Sequence, residues 1–127
     1  MAKPVPSGAR AEVTNTVEHQ HTLSGFHGDL PPVLSTPWMI AWMEAACYHA
    51  LQPFAEGDEI TVGTAINVSH RTPTTIGGKV TAEAVLERVE GRFHVMRVTA
   101  RSESGIIGEG TVDRAFVSVS KFMQKMR

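Results

Sequence analysis

The chain has 127 residues, 42% of them hydrophobic, with 12 basic residues against 13 acidic ones and a formal net charge of −1. That length suits one domain with a core that needs no disulfides, and the apolar fraction excludes a disordered chain. The near-neutral charge excludes a general nucleic-acid binder, which carries a basic excess on one face, but leaves room for a few arginines set against the phosphates of a small ligand.

A single cysteine, Cys47, rules out an intrachain disulfide and fits a reducing cytoplasm. The first twenty residues hold no apolar core of signal-peptide type. The most apolar stretch, 38–48, is too short to span a bilayer and carries Glu44 in its middle. Neither secretion nor membrane insertion is expected.

Residues 1–10, with two prolines, Ser7 and Gly8, read as a flexible arm ahead of a single domain over 11–127. Residues 11–17 alternate, Val13 and Val17 on one side and Glu12, Thr14 and Thr16 on the other, as a half-buried strand does. Residues 19–32 hold Gly25, Gly28, Asp29, Pro31, Pro32 and three histidines. They predict an irregular loop, long enough to serve as a lid or binding loop. Thr36-Pro37 is a helix start, since a hydroxyl caps free amides and proline suits the first helical position. The helix should run to about Pro53. Over 38–48 it is apolar around its whole circumference, which predicts burial on every side.

The remainder reads as β: a short strand over 64–69, a Pro/Gly turn region over 71–78 and a strand over 80–89. A tight turn at Glu90-Gly91 leads to its partner over 92–101, where Met96 blurs the alternation. After a turn at 102–105, a long strand over 106–119 is bent at Gly108 and Gly110. One buried helix needs a sheet that curls around it, and its remaining apolar surface needs the cover of a second subunit. This is the layout of a hotdog fold, an α+β architecture with a long central helix wrapped by a curved antiparallel sheet. The expected assembly is a homodimer, with a dimer of dimers left open.

Several residues in this frame carry chemistry. Glu44 sits between Met43 and Ala45 in the apolar helix, and a buried carboxylate needs partners or must be held neutral. Such a group is a site candidate, although a structural ion pair would also explain it. His70 ends the strand that begins at Gly63-Thr64, a usual place for an acid, base or hydrogen-bond donor near neutral pH. Thr36 reads first as the helix N-cap, and the same position suits a hydroxyl that orients a substrate or attacks it. Gly63 lets a ligand approach the backbone. Arg114, next to Asp113 in the last strand, could pair with a carboxylate or a phosphate, or form a surface salt bridge.

His19, His21 and His27 invite a metal reading, but no cysteine or carboxylate completes a ligand set, so no metal and no cofactor are expected. Cys47 reads as an inert core thiol. Trp38, Trp42 and the methionines read as core or pocket lining.

Taken together these residues resemble a known family. Thr36-x7-Glu44 with Met43-Glu44-Ala45-Ala46-Cys47, then Gly63-Thr64-Ala65-Ile66-Asn67-Val68-Ser69-His70, then Gly110-Thr111-Val112-Asp113-Arg114 resemble three successive motifs of the fluoroacetyl-CoA thioesterase family of hotdog proteins. The likeness runs from about Ala11 to Phe122. It implies an acyl-CoA thioesterase with a catalytic set of Thr36, Glu44 and His70; Gly63, Thr64 and Arg114 are the expected substrate contacts. It also implies an active site at a dimer interface.

Thioester hydrolysis needs a water or hydroxyl nucleophile, a base and donors for the oxyanion. Glu44 suits the base or a transient nucleophile, His70 the donor or proton shuttle, and Thr36 the orienting hydroxyl; covalent and direct water attack both remain open. A straight helix separates Thr36 from Glu44 by about 12 Å along its axis. Their cooperation therefore needs Thr36 to precede the helix proper, or contributions from both subunits. The family's namesake carries phenylalanines in the lid before the helix. This chain has His27-Gly28-Asp29-Leu30-Pro31-Pro32 there, with Phe26 the nearest aromatic, which points to a different short acyl group.

Two further readings share the fold. One is a protein that binds acyl-CoA without hydrolysing it, as a sensor or resistance factor. The other is a hydratase or dehydratase, whose aspartate–histidine pattern is not seen here. Arg71, Lys79, Arg88 and Arg92 are the candidates to meet coenzyme A phosphates.

Overall fold

The computed structural model describes residues 2–126. β1 (Arg10–Thr16) leads through a single 3-10 turn (His19–His21) and the one-turn helix α1 (Leu23–Phe26) to the long helix α2 (Thr36–Leu51). A second 3-10 turn (Gln52–Phe54) follows, then β2 (Glu59–His70), β3 (Lys79–Glu90), β4 (Phe93–Ser102), β5 (Gly105–Ser118) and a short helix α3 (Val119–Gln124). Of the segment read as an arm, Arg10 opens β1 and residues 2–9 form no helix or strand, yet Lys3 N–H donates to Phe54 O at 2.9 Å and Val5 and Ala9 pack on the core.

The five strands form one sheet in the order β1-β3-β4-β5-β2, every pair antiparallel. β2 crosses to the far edge, so α2, which precedes it, lies across the sheet. Register shifts between Gly63 and Ala65, Leu86 and Arg88, and Ala100 and Arg101 are bulges that add twist and curl the sheet around the helix. This is the α+β hotdog layout.

The core follows from two periods meeting. Met39, Trp42, Met43, Ala46, Cys47, Ala50 and Leu51 are the buried residues of α2, spaced by three and four along one stripe. Opposite them stand Val80, Ala82, Ala84 and Leu86 of β3, Met96, Val98 and Ala100 of β4, and Ile107 and Val112 of β5. The small alanines let the helix approach closely. Truncating a fully buried Met39 or Met43 to alanine would cost about 2–5 kcal/mol.

The expectation of burial on every side holds only in part for a single chain. Ile40, Ala45 and Tyr48 are half-buried and Ala41 is exposed, because the sheet covers only one face of α2.

Three local expectations are corrected. Ser35, not Thr36, is the N-cap of α2, and Thr36 is its first helical residue. The strand expected over 64–69 starts earlier, at Glu59, so Gly63-Thr64 lies inside it at a bulge rather than at its start. The loop over 19–32 contains helical turns, pinned where Leu23 N–H donates to Val33 O at 2.9 Å and Ser35 N–H to His21 O at 2.9 Å. No helix among the described residues is long and apolar enough to cross a membrane.

Candidate active site

The two ends of the central motifs meet at one point. Thr36 opens α2 and His70 closes β2, and Thr36 Oγ1 shares a hydrogen bond of 2.8 Å with His70 Nδ1. That bond explains why Thr36 is not the cap: its hydroxyl is turned to the imidazole instead of the free amides. The other ring nitrogen, Nε2, is buried and has no partner. A buried polar atom with no partner carries a free-energy cost that a ligand can relieve. Burial pushes the His70 pKa below its usual value near 6.5, while a backbone hydrogen bond at Thr72 acts the other way. The neutral ring is therefore favoured at pH 7. A cleft of about 240 Å³ opens here, lined by Leu23, Val33, Leu34, Thr36, His70 and Pro73, among others.

A second cluster lies two turns along α2. Glu44 Oε1 accepts from Arg114 Nη1 at 3.2 Å. Arg114 is 6% exposed, which overturns the surface ion-pair reading. Its partner is a carboxylate, one of the two kinds expected. The remaining guanidinium donors go to Thr61: Nη2–H to its carbonyl at 2.8 Å and to Oγ1 at 3.1 Å, and Nε–H to Oγ1 at 3.3 Å. Thr61 was not among the sequence candidates, because the strand that holds it was expected to begin only at Thr64.

Gly63 has a concrete reason to be glycine. A Cβ built there would stand 2.2 Å from Glu44 Oε1, so the carboxylate occupies the space a side chain would fill. Thr64, the bulged residue, is exposed, and its Oγ1 donates to Asp113 O at 3.3 Å.

The other sequence candidates fall elsewhere. His21 Nδ1 accepts from Glu18 N–H at 3.0 Å, and its ring meets Trp38 and Trp42 edge-on at 4.7 and 5.0 Å. It ties the segment before α2 to the helix. His27 is exposed beside Asp29, and no three histidine, cysteine or acidic residues gather among the described residues. Burial, opposed by Arg114 and aided by Glu44, pushes the Cys47 thiol up to about 12. Of the proposed phosphate contacts, Arg71 pairs with Glu109, and Arg88 with Glu87 and Glu90. Arg92 lies 5.3 Å over the Phe93 ring.

The profile of the fluoroacetyl-CoA-specific thioesterases matches residues 3–120. The chain belongs to the fluoroacetyl-CoA-specific thioesterase family. A fluoroacetyl-CoA thioesterase of Streptantibioticus cattleyicolor is 40% identical over 112 residues, covering 88% of this chain and 81% of that protein.

Solved structures agree with the family. The fluoroacetyl-CoA thioesterase FlK superposes with a TM-score of 0.92 at 34% identity, over 98% of this chain and 97% of its own. A variant of FlK in complex with fluoroacetate and CoA gives a TM-score of 0.83 at 35% identity, over 92% and 98% of the two chains. A thioesterase-superfamily member from Thermus thermophilus gives 0.90 at 28% identity, over 98% and 92%. Like other members of the family, this chain is a hotdog thioesterase.

Proposed function

We propose that this thioesterase hydrolyses a short-chain acyl-CoA to the acid and free CoA, with Thr36, Glu44 and His70 as its catalytic set and a homodimer as its working form. The observation that carries the reading is the Thr36–His70 hydrogen bond, with the second imidazole nitrogen buried and unpartnered beside a cleft of about 240 Å³. When Thr36 donates to Nδ1, the proton of the neutral ring sits on Nε2, where it can meet a carbonyl oxygen.

In the water route, Glu44 takes a proton from water and the hydroxide adds to the thioester carbonyl carbon. His70 Nε2–H holds the oxyanion. Collapse breaks the C–S bond, the leaving sulfur takes the proton back, and acid and thiol are released. In the covalent route the Glu44 carboxylate adds to the carbonyl carbon, the C–S bond breaks and CoA leaves as the thiolate; water then opens the anhydride to the acid and the free Glu44 carboxylate, and the proton released goes to the thiolate. The Arg114 ion pair fixes the direction of the Glu44 carboxylate in either case. Gly63 and Arg114 bound the acyl end of the site, and Thr64 lies beside them.

The modest cleft suits a small acyl group. The stretch 27–32, matched to the lid where the family's namesake carries phenylalanines, has no aromatic, and its exposed Leu30 with the exposed Phe26 before it argues for an acyl group other than fluoroacetyl. The dimer rests on two exposed features. β2 is an edge strand whose residues 63–67 are all exposed, and beside it runs the uncovered apolar face of α2. Pairing two copies along this edge would cover both.

The test is thiol release from a series of straight-chain acyl-CoAs. Turnover that peaks at two to four carbons and falls on lengthening supports the reading. No turnover with any member, while acyl-CoA still raises the melting temperature, would replace it with a binding module.

A further inference from the structure

We infer that Thr61 is a positioning residue of the reaction: its hydroxyl oxygen sets the plane of the Arg114 guanidinium and, through it, the direction of the Glu44 carboxylate. This deepens the thioesterase reading above and rests on it. Thr61 and Gly63 are two positions apart in β2, so they share a face of the strand. In register, Gly63 stands opposite Arg114 and Thr61 opposite Phe116. The two β2 residues divide the work. Gly63 supplies room, with Glu44 Oε1 where a Cβ would be and Arg114 Nη1 3.4 Å from that point. Thr61 supplies the acceptors.

A guanidinium is a rigid plane, so pinning one edge aims the other. On one edge Nε–H and Nη2–H both donate to Thr61 Oγ1, at 3.3 and 3.1 Å, and Nη2–H also donates to Thr61 O at 2.8 Å. On the other, Nη1–H donates to Glu44 Oε1 at 3.2 Å. The carbonyl alone is a single point about which the plane can turn. Oγ1 is the second point that stops the turn, and it is the acceptor for Nε–H. Burial makes this acceptor count: Thr61 is 2% and Arg114 6% exposed, which leaves little access for water in its place. Without Oγ1, Nε–H becomes a buried donor with no partner on a charged group, a costly state. The guanidinium relieves it by turning to another acceptor, and Nη1–H turns with it. Among the described residues, the Glu44 carboxylate has its hydrogen bond with Arg114 alone, so it loses its direction when Arg114 moves.

Two substitutions separate the hydroxyl from the methyl group. Thr61→Val keeps the shape of the side chain and removes the acceptor; Thr61→Ser keeps the acceptor and removes a buried methyl. Both are assayed by steady-state thiol release from acetyl-CoA beside a thermal melt. In Thr61→Val, kcat should fall about 10- to 100-fold while KM stays within about threefold, the mark of a group that acts in the transition state and not in binding. In Thr61→Ser, kcat should stay within about threefold of wild type even though the lost methyl lowers Tm. A merely structural threonine gives a different pattern, in which kcat follows Tm and serine does no better than valine; that result, or an unchanged kcat in folded Thr61→Val, would overturn the inference and leave the thioesterase intact. Should the valine variant not fold, Thr61→Cys against Thr61→Ser makes the same comparison, since the two side chains are close in size and the thiol sulfur is a weak acceptor. Loss of kcat in the cysteine variant alone supports the inference, and equal kcat in the pair overturns it. A wild type that hydrolyses no acyl-CoA would overturn the underlying reading, and this inference with it.

Discussion

Replacing Gly63 by alanine separates the role of Glu44 from the stability of the fold. The new methyl carbon would stand 2.2 Å from Glu44 Oε1, over 1 Å inside normal contact, and 3.4 Å from Arg114 Nη1, which is acceptable. The clashing atom is the end of a flexible side chain, so the carboxylate swings away and the strand stays in place. Three of the four Arg114 hydrogen bonds, those to Thr61, survive. Losing the fourth costs about 1–2 kcal/mol, discounted because about a third of the Glu44 side chain is exposed. Alanine returns about 0.4–1 kcal/mol by restricting the unfolded chain.

The net effect on stability is about 1 kcal/mol, a fall of roughly 3–5 °C in Tm for a domain of this size. Activity should suffer far more, because a misplaced general base forfeits about 100-fold or more in kcat. The assay is thiol release with acetyl-CoA beside a thermal melt. A folded variant with unchanged kcat would refute the placement of Glu44 in the chemistry. A variant that unfolds would show that the backbone, and not the carboxylate, occupies the space.

Other consequences follow from the burial of titratable groups. Burial holds both His70 and His94 below the usual imidazole value, so the unfolded chain binds protons near pH 6.5 that the folded one refuses. Stability should therefore decline as pH falls below about 6.5; a His94→Gln variant that loses as much Tm as wild type between pH 7 and 5.5 would remove His94 from this account. The same shift at His70 places the acid limb of kcat/KM below pH 6.5, and a limb at or above that value would contradict a buried neutral ring. Cys47, fully buried with its thiol pushed up to about 12, should resist thiol reagents at pH 8 until the protein is denatured, and rapid native labelling would contradict its burial.

The legible parts of the fold were those set by local chemistry. Thr36-Pro37 marked the start of α2 within a residue, Glu90-Gly91 the β3–β4 turn, and alternation the long strands. The parts that escaped depend on residues far apart in sequence. Residues 59–62 are extended and end at a glycine, which reads as a break. That glycine is there because Glu44, on another element, fills the place of its side chain. Arg114 looked like a surface charge because Asp113 precedes it, yet it turns inward to Thr61 and Glu44.

α3 was missed, although Ser118 carries a signal for it: its hydroxyl accepts from Lys121 N–H as a helix cap. The site was legible as three motifs, with the separation of Thr36 from Glu44 left as one of two alternatives. Only the helical state of Thr36 shows that they stand apart within one chain.

The most direct test of the central claim is the steady-state hydrolysis of acetyl-CoA by wild type and by Glu44→Gln, a substitution that keeps size and polarity but removes the ionisable carboxylate. The account predicts clear turnover by wild type and a fall in kcat of about 100-fold or more in the variant, with Tm within a few degrees. Equal kcat in the two folded proteins would contradict it.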